Sequence, residues 1–229
     1  MALTSIITVN FHQAAVTIDL LKSIAKSYSP NEVEVIIVDN GADKNMELVF
    51  HPYFENIKYI QSKENLGFAG GNNLGIQKAK GDYIFLLNND TEIPAGCIQT
   101  LIAELEANPK IGLLSPLLLY FDQPDLVQYA GFTPMNYLVA RNAYIGQFEK
   151  NIGQFDGKSY QTGFCHGAAV ICSKADLQKA GLMDETYFLY YEELDWCEKF
   201  KRISKEIWFT GKTHAYHKES ISVGKASPL

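Results

Sequence analysis

Five apolar residues in a row, Tyr83-Ile84-Phe85-Leu86-Leu87, stop abruptly on four polar ones, Asn88-Asn89-Asp90-Thr91. A run that is apolar at every position, rather than at alternate positions, predicts a strand buried on both faces, as in a parallel sheet covered by helices on each side. In such open α/β sheets ligands bind beyond the carboxyl ends of the strands, so the polar quartet marks where chemistry is expected. The strand closes a longer unit, Glu64 to Thr91, that begins with the Gly- and Asn-rich stretch Asn65-Leu66-Gly67-Phe68-Ala69-Gly70-Gly71-Asn72-Asn73. That stretch predicts a loop followed by a short helix.

The same grammar recurs along the chain. Ser5–Val9 reads as a strand ending on Asn10, and Val33–Val38 as a second strand ending on Asp39-Asn40-Gly41. Ile57–Ile60 reads as a third. Between them, Ala15, Ile18, Leu21 and Ala25 show helical spacing, and a short helix is expected near Lys44–Phe50. Alternating strands and helices imply βαβ units, a parallel sheet and right-handed crossovers. A helix is expected from Pro94 to about Ala107, then a strand over Ile111–Leu119. From about Phe121 to Tyr160 the patterning weakens, which suits a functional loop or an acceptor-binding lobe. A strand at Gly163–Cys172, helices at Ser173–Ala180 and Tyr191–Arg202, and a strand at Glu206–Thr210 complete the chain.

Composition excludes several classes. The net charge of -6 gives no cationic field to attract nucleic acid. No apolar run approaches the ~20 residues that span a bilayer, and the N-terminus shows no basic segment leading into an apolar core. The four cysteines, Cys97, Cys165, Cys172 and Cys197, have no metal-binding spacing and read as buried, reduced thiols of a cytosolic protein.

Each candidate functional residue has a structural alternative. Asp39 could accept from a ribose or base, or cap a helix. The Gly-rich stretch matches neither dinucleotide nor triphosphate loop motifs; its glycines permit close backbone approach and the helix after it favours an anion, but a plain turn would look the same. Asp90 suits Mg²⁺ or Mn²⁺ bridging to phosphates, or caps the next helix. On the helix Tyr191–Arg202, Glu193 falls amid Tyr190, Cys197 and Phe200, whereas Glu192, Asp195, Glu198, Lys199 and Arg202 fall on the outer arc. A carboxylate on an apolar face is costly unless paired or functional, and desolvation makes it a better general base; a helix-start dipole partner is the alternative. His214 and His217 should point to opposite faces of a strand, so one of them faces the site.

Taken in order, IITVNFHQ, VIIVDNGA, NLGFAGGNNLGI, YIFLLNNDTEI, GFCHGAAVICSK, FLYYEELDWC and AYHKESISVG resemble glycosyltransferase family 2, nearest its bacterial rhamnosyltransferase-like branch. The resemblance covers essentially the whole chain. It implies a single α/β domain of the GT-A fold over residues 1–229, with a Rossmann-like, mostly parallel central sheet flanked by helices and a less regular acceptor-side region. The nucleotide-sugar half would take about 1–92 and the acceptor and catalytic half about 93–229. It further implies that Val9, Asn10 and Asp39 hold the base and ribose, and that Asn65, Gly67 and Asn72 form the donor loop. Asn88-Asn89-Asp90 takes the place of the family's DxD motif, with Asn for its first Asp. Asp90 and His217 would be ligands of a divalent metal, Mg²⁺ or Mn²⁺. Glu193 stands at the general base, where Glu replaces the usual Asp.

The expected activity is inverting, metal-dependent transfer from a nucleoside diphosphate sugar, dTDP-rhamnose or a UDP-sugar, to a hydroxyl of a glycan or lipid-linked glycan in cell-surface polysaccharide synthesis. A cytoplasmic protein associated peripherally with the inner face of the membrane, with no nucleic-acid partner, is expected. Family members usually continue into further helices, whereas this chain stops at Ser227-Pro228-Leu229, as a short or truncated member would. Two other readings compete. A sugar-phosphate nucleotidylyltransferase would need basic residues near the first loop, and residues 8–16 contain no lysine or arginine. A non-catalytic glycan- or nucleotide-binding module would keep the fold without turnover.

Overall fold

The structure, a computed structural model, describes residues 2–136, 138–139 and 141–218. Its elements follow the order β1 (Thr4–Asn10), α1 (Ala14–Ser27), β2 (Val33–Asn40), α2 (Glu47–Phe50), β3 (Ile57–Ser62), α3 (Gly67–Ile76), β4 (Tyr83–Leu87) and β5 (Thr91–Glu92). Then come α4 (Cys97–Ala107), β6 (Ile111–Tyr120), β7 (Val127–Tyr129), β8 (Ser159–Gln161), β9 (Ala169–Ser173), α5 (Lys174–Ala180), α6 (Glu192–Arg202) and β10 (Glu206–His217).

Among the described residues ten strands form one sheet, in the order β3-β2-β1-β4-β9-β6-β10-β5, with β7 beside β6 and β8 beside β10. The apolar runs explain it. In β1 Ile6 packs on one side and Ile7 on the other; in β2 Val35 and Ile37 oppose Ile36 and Val38; in β4 Phe85 and Leu87 oppose Ile84 and Leu86. One side is covered by Leu20, Leu21 and Ile24 of α1 and Ile98 and Leu101 of α4. The other is covered by Ala69 and Ile76 of α3, Leu177 of α5, and Trp196 and Phe200 of α6. Each buried Leu, Ile, Val or Phe side chain contributes roughly 1.5–3 kcal/mol, and the polar pair buried within β1 and β2 answers itself, Ser5 Oγ donating to Glu34 Oε1.

The first four strands pair in parallel, β3 to β2 to β1 to β4, as the sequence predicts. The second half makes the sheet mixed. Strand β9 runs antiparallel to both β4 and β6, while β10 runs parallel to β6. The expected strand at Gly163–Cys172 is shorter and begins at Ala169, because Gly163 to Ala168 form a loop at the site instead. Conversely, β10 runs on past Thr210 to His217 through a register shift between Thr210 and His214.

The Gly-rich stretch is not the expected loop. From Gly67 onward it is helix α3, packed flat on β1 and β2. A Cβ on Gly75 would lie 2.4 Å from Ile7 Cγ2, so the glycine that weakens the helix lets it approach the sheet. At Gly67 the backbone is left-handed, φ +68°, and a Cβ would meet the carbonyl oxygen of Phe188.

Candidate active site

The carboxyl ends of β1, β2 and β4 lie side by side and are tied by one polar chain. Asn89 Nδ2 donates to Thr17 Oγ1 at 3.1 Å, and that hydroxyl donates to Asn10 Oδ1 at 2.8 Å. Asn10 Nδ2 then donates to Asp39 Oδ1 at 2.7 Å, while the Tyr59 hydroxyl donates to Asp39 Oδ2 at 2.6 Å. No helix begins at Asp39, so it is not a cap; its carboxylate is the terminus of this chain. Asn40, beside it, donates to Asn65 Oδ1 and Gly67 O and accepts from Leu66 N, fixing the entry to α3.

Above these strand ends lies a cavity of about 400 Å³, walled by Val9, Asn40, Asn65, Gly67, Phe68, Asn88, Asn89, Asp90, Phe188 and Leu189. It gathers most of the donor-binding residues expected from the sequence. Asn10 and Asp39 line an adjoining cavity with His12 and Lys44. Asn72 stands apart from both: its amide donates to Phe68 O within α3. The start of α3 is also less open to an anion than its sequence implies. Gly67 N donates to Asn65 Oδ1 and Phe68 N to Phe188 O, so these N–H groups are engaged.

A second cavity, of about 420 Å³, is walled by Phe132, Tyr144, Phe164, His166, Gly167, Tyr190, Tyr191 and Glu193, among others. The consecutive residues 188–191 divide the two cavities, Phe188 and Leu189 facing the first and Tyr190 and Tyr191 the second. Both tyrosines have left-handed backbones, φ 72° and 71°, an uncommon pair for non-glycine residues. Tyr190 is therefore outside the helix, exposed, and not part of the apolar face on which the sequence placed it.

Glu193 is half-buried and lines this cavity. Burial, aided by the neighbouring Glu192, raises its pKa from 4.5 to about 7; its own backbone N–H and that of Gly167 partly oppose the rise. Gly167 leaves room for that carboxylate: a Cβ there would lie 2.3 Å from Glu193 Oε1 and push it aside. Glu192 is not on the outer arc as expected. The turn before α6 rotates it inward to 1% exposure, where Oε2 has no hydrogen-bond partner among the described residues and burial raises its pKa. Cys197 and Phe200 lie fully buried below, as expected.

At the boundary of the cavities, His217 Nε2 lies 3.1 Å from Asp90 Oδ1, and His217 Nδ1 lies 2.9 Å from Gln128 Oε1. Asp90 caps no helix, because the N-cap of α4 is Gly96. The backbone fixes both residues: Lys218 N donates to Asp90 O, and Thr91 pairs with His217 where β5 meets β10. His214 is turned away, against Tyr216, as the strand alternation requires.

The glycosyl transferase family 2 sequence profile matches residues 5–179. The chain belongs to that family. Among its relatives, the low-salt glycan biosynthesis hexosyltransferase Agl10 of Haloferax volcanii is 25% identical over 195 residues, covering 82% of this chain and 60% of that protein. The N-acetylglucosaminyl-diphospho-decaprenol L-rhamnosyltransferase of Mycobacterium tuberculosis is 20% identical, covering 90% of this chain and 78% of that protein. The fold is similar to that of GalNAc-T7 crystallised with UDP, GalNAc and Mn²⁺, with TM-score 0.75, 15% identity and coverage of 95% of this chain and 44% of that one. It is also similar to the mannosyltransferase PcManGT of Pyrobaculum calidifontis crystallised with GDP-Man and Mn²⁺, with TM-score 0.66, 14% identity and coverage of 96% and 58%. The chain thus spans well under two thirds of several proteins it resembles.

For a family 2 member the Asp90–His217 pair fits a divalent ion. Asp90 Oδ1 is buried and receives no hydrogen bond among the described residues, as a metal ligand would be before its ion arrives. No three His, Cys, Asp or Glu side chains cluster as a ready cage among the described residues. A two-residue site completed by substrate phosphates and water is the arrangement Mg²⁺-type ions commonly take.

Three residues here escape a reading of the sequence alone: Asn40, Gln128 and His166. Asn40 follows Asp39 in the strand end and could have been found there. His166 lines the second cavity, with Nδ1 accepting from Ala168 N at 3.1 Å; burial and the nearby His217 pull its pKa down to about 3, so it presents a neutral ring.

Proposed function

We propose that this chain is an inverting glycosyltransferase that moves a sugar from a nucleoside diphosphate sugar to a hydroxyl of a glycan or lipid-linked glycan. The observation that carries this reading is Glu193, a buried carboxylate with its pKa raised to about 7, in a cavity adjoining the Asp90–His217 pair. A base poised near the working pH can hold a proton it has just taken while a substantial fraction stays ionised beforehand.

In this reading the nucleotide lies over the ends of β1 and β2, between Val9, the Asn10–Asp39 pair and the Asn40–Asn65 bridge. Its diphosphate reaches Asp90 and His217 past Asn88 and Asn89. A divalent ion held by Asp90 and His217 would neutralise charge on the departing diphosphate; the imidazole favours a transition ion such as Mn²⁺ over Mg²⁺. The acceptor enters the second cavity, where Glu193 removes the proton from its hydroxyl and the oxygen attacks the anomeric carbon from the face opposite the diphosphate. Aromatic walls, Phe132, Tyr144 and Phe164, suit a sugar ring. The rhamnosyltransferase among the relatives favours a rhamnosyl donor, which the sequence resemblance makes dTDP-rhamnose, and a lipid-linked acceptor, and hence work near a membrane. No helix among the described residues is long and apolar enough to cross one.

The test is release of nucleoside diphosphate from a panel of nucleoside diphosphate sugars, with and without Mn²⁺, in the wild type and in Glu193→Gln. Metal-dependent release that falls in the variant while nucleotide binding persists supports the reading. Failure of every donor to bind overturns it.

A further inference from the structure

We propose that Gln128 is a positioning residue for the metal centre: its amide oxygen holds His217 in the tautomer that offers Nε2 to the cation beside Asp90. The inference rests on the reading of Asp90 and His217 as metal ligands, and it concerns a residue neither the family motifs nor the cavity walls single out.

Gln128 is the middle residue of β7, only 1% exposed, and its Oε1 is 2.9 Å from His217 Nδ1. A neutral imidazole carries one N–H. With that proton on Nδ1 and donated to Gln128, Nε2 holds a lone pair and faces Asp90 Oδ1 at 3.1 Å. Two such acceptors repel one another unless a cation lies between them. The spacing suits one: ligands about 2.1 Å from a shared ion, at roughly a right angle, lie about 3 Å apart. Asp90 Oδ1 and Gln128 Nε2 are both buried without a hydrogen-bond partner among the described residues. Were His217 to donate from Nε2 instead, Asp90 Oδ1 would be satisfied and the metal-binding lone pair lost.

The backbone leaves this rotor as the remaining freedom. Lys218 N holds Asp90 O at 2.9 Å, and Phe121 N holds His217 O at 3.1 Å, so the positions of both ligands are set before any ion binds. The His166 ring lies edge-on to His217 with centroids 5.8 Å apart, limiting its swing. An amide, unlike a carboxylate, accepts the Nδ1 proton without adding negative charge to a site that must also take a diphosphate.

The experiment uses the full chain and Mn²⁺ as the probe. Nitrogen-15 NMR of metal-free protein reads the His217 tautomer, and calorimetry reads Mn²⁺ affinity, for the wild type, Gln128→Leu, Gln128→Met and Gln128→Glu, with Asp90→Asn as the metal-site control. The expected result is the Nδ1–H tautomer in the wild type and Nε2–H in Gln128→Leu and Gln128→Met. Mn²⁺ affinity should be about 10–100-fold weaker in those two and retained in Gln128→Glu, which still accepts the proton. A wild type in the Nε2–H form, unchanged affinity in Gln128→Leu and Gln128→Met, or equal loss in all three Gln128 variants overturns the proposal. Mn²⁺ binding that is unaffected by Asp90→Asn instead defeats the underlying reading of the metal pair, while the tautomer still decides the role of Gln128.

Discussion

In the cavity adjoining the first, the Asp39 carboxylate lies at the end of a strand inside the sheet and receives hydrogen bonds from both Asn10 and Tyr59. Beside the second, the Glu193 carboxylate sits in the first turn of a helix, meets backbone N–H groups, and lies next to a second acid. One side of the site is built from strand ends whose polar atoms answer each other. The other is built from connecting segments, with left-handed tyrosines and two adjacent acids, Glu192 and Glu193, whose charge burial disfavours. A rigid, satisfied floor suits a group that must bind the same way each time. An acid whose charged form is disfavoured by burial suits one that must change its protonation within a turnover.

The sharpest way to break this contrast is Glu193→Gln. If the acid works as the base, sugar transfer falls by about 10²–10⁴-fold while nucleotide affinity by calorimetry is unchanged; near-normal transfer would make both carboxylates structural. Gly167→Ala should come next. The added Cβ forces Glu193 Oε1 aside, and a displacement of about 1 Å at a reacting group costs on the order of 10²-fold in kcat, with the thermal midpoint little moved.

The pH dependence is a smaller, graded effect. Because the Glu193 pKa is raised to about 7, the carboxylate is protonated as pH falls through 7, and kcat/KM should drop about tenfold per unit below that point. The stability effect has the opposite sense. A raised acid means the folded state binds more protons than the unfolded one between 4.5 and about 7, so Glu193 reduces stability as pH rises across that window. Urea unfolding should show Glu193→Gln losing that slope and becoming the more stable protein at pH 8, whereas a variant that is less stable there would deny the cost of burying the charge. The smallest expected change in turnover is at Asp39→Ala, which strands the Asn10 amide and the Tyr59 hydroxyl. It should cost about 1–3 kcal/mol in urea unfolding, read as an earlier midpoint, with kcat altered less than in either variant above.

These two halves were also unequally legible. The strand-end floor could be read from the sequence because buried strands impose a local rule: Ile6 and Ile7, or Phe85 and Leu86, must face opposite cores, so the runs and the polar residues ending them are visible by eye. The Gly-rich stretch was misjudged because glycine disfavours helix locally, and only contact with Ile7 explains a helix there. Around the second cavity no period applies. Glu193 was found from its helical face, but Glu192 was placed outside because the left-handed turn at Tyr190 and Tyr191 does not announce itself in the sequence. Gln128 had no signal at all, since its meaning depends on a histidine 89 positions later. The family motifs point to Asp90 and His217 as the proposed metal pair, whereas the alternation of β10 alone narrows the histidine only to one of two.

The pairing of Thr91 with His217 has a consequence for how the protein is made. A ribosome delivers the floor of the site early, and the strands β1 to β4 can pair as soon as they emerge. The metal pair proposed above cannot come together then, because His217 is at the far end of β10, the last strand described. Until that strand inserts between β6 and β5, the nascent chain has the strand-end floor and Asp90 but no opposing imidazole. If Asp90 and His217 hold the ion as proposed, Mn²⁺ affinity would serve as a reporter of completed folding, rising only when the last strand has docked.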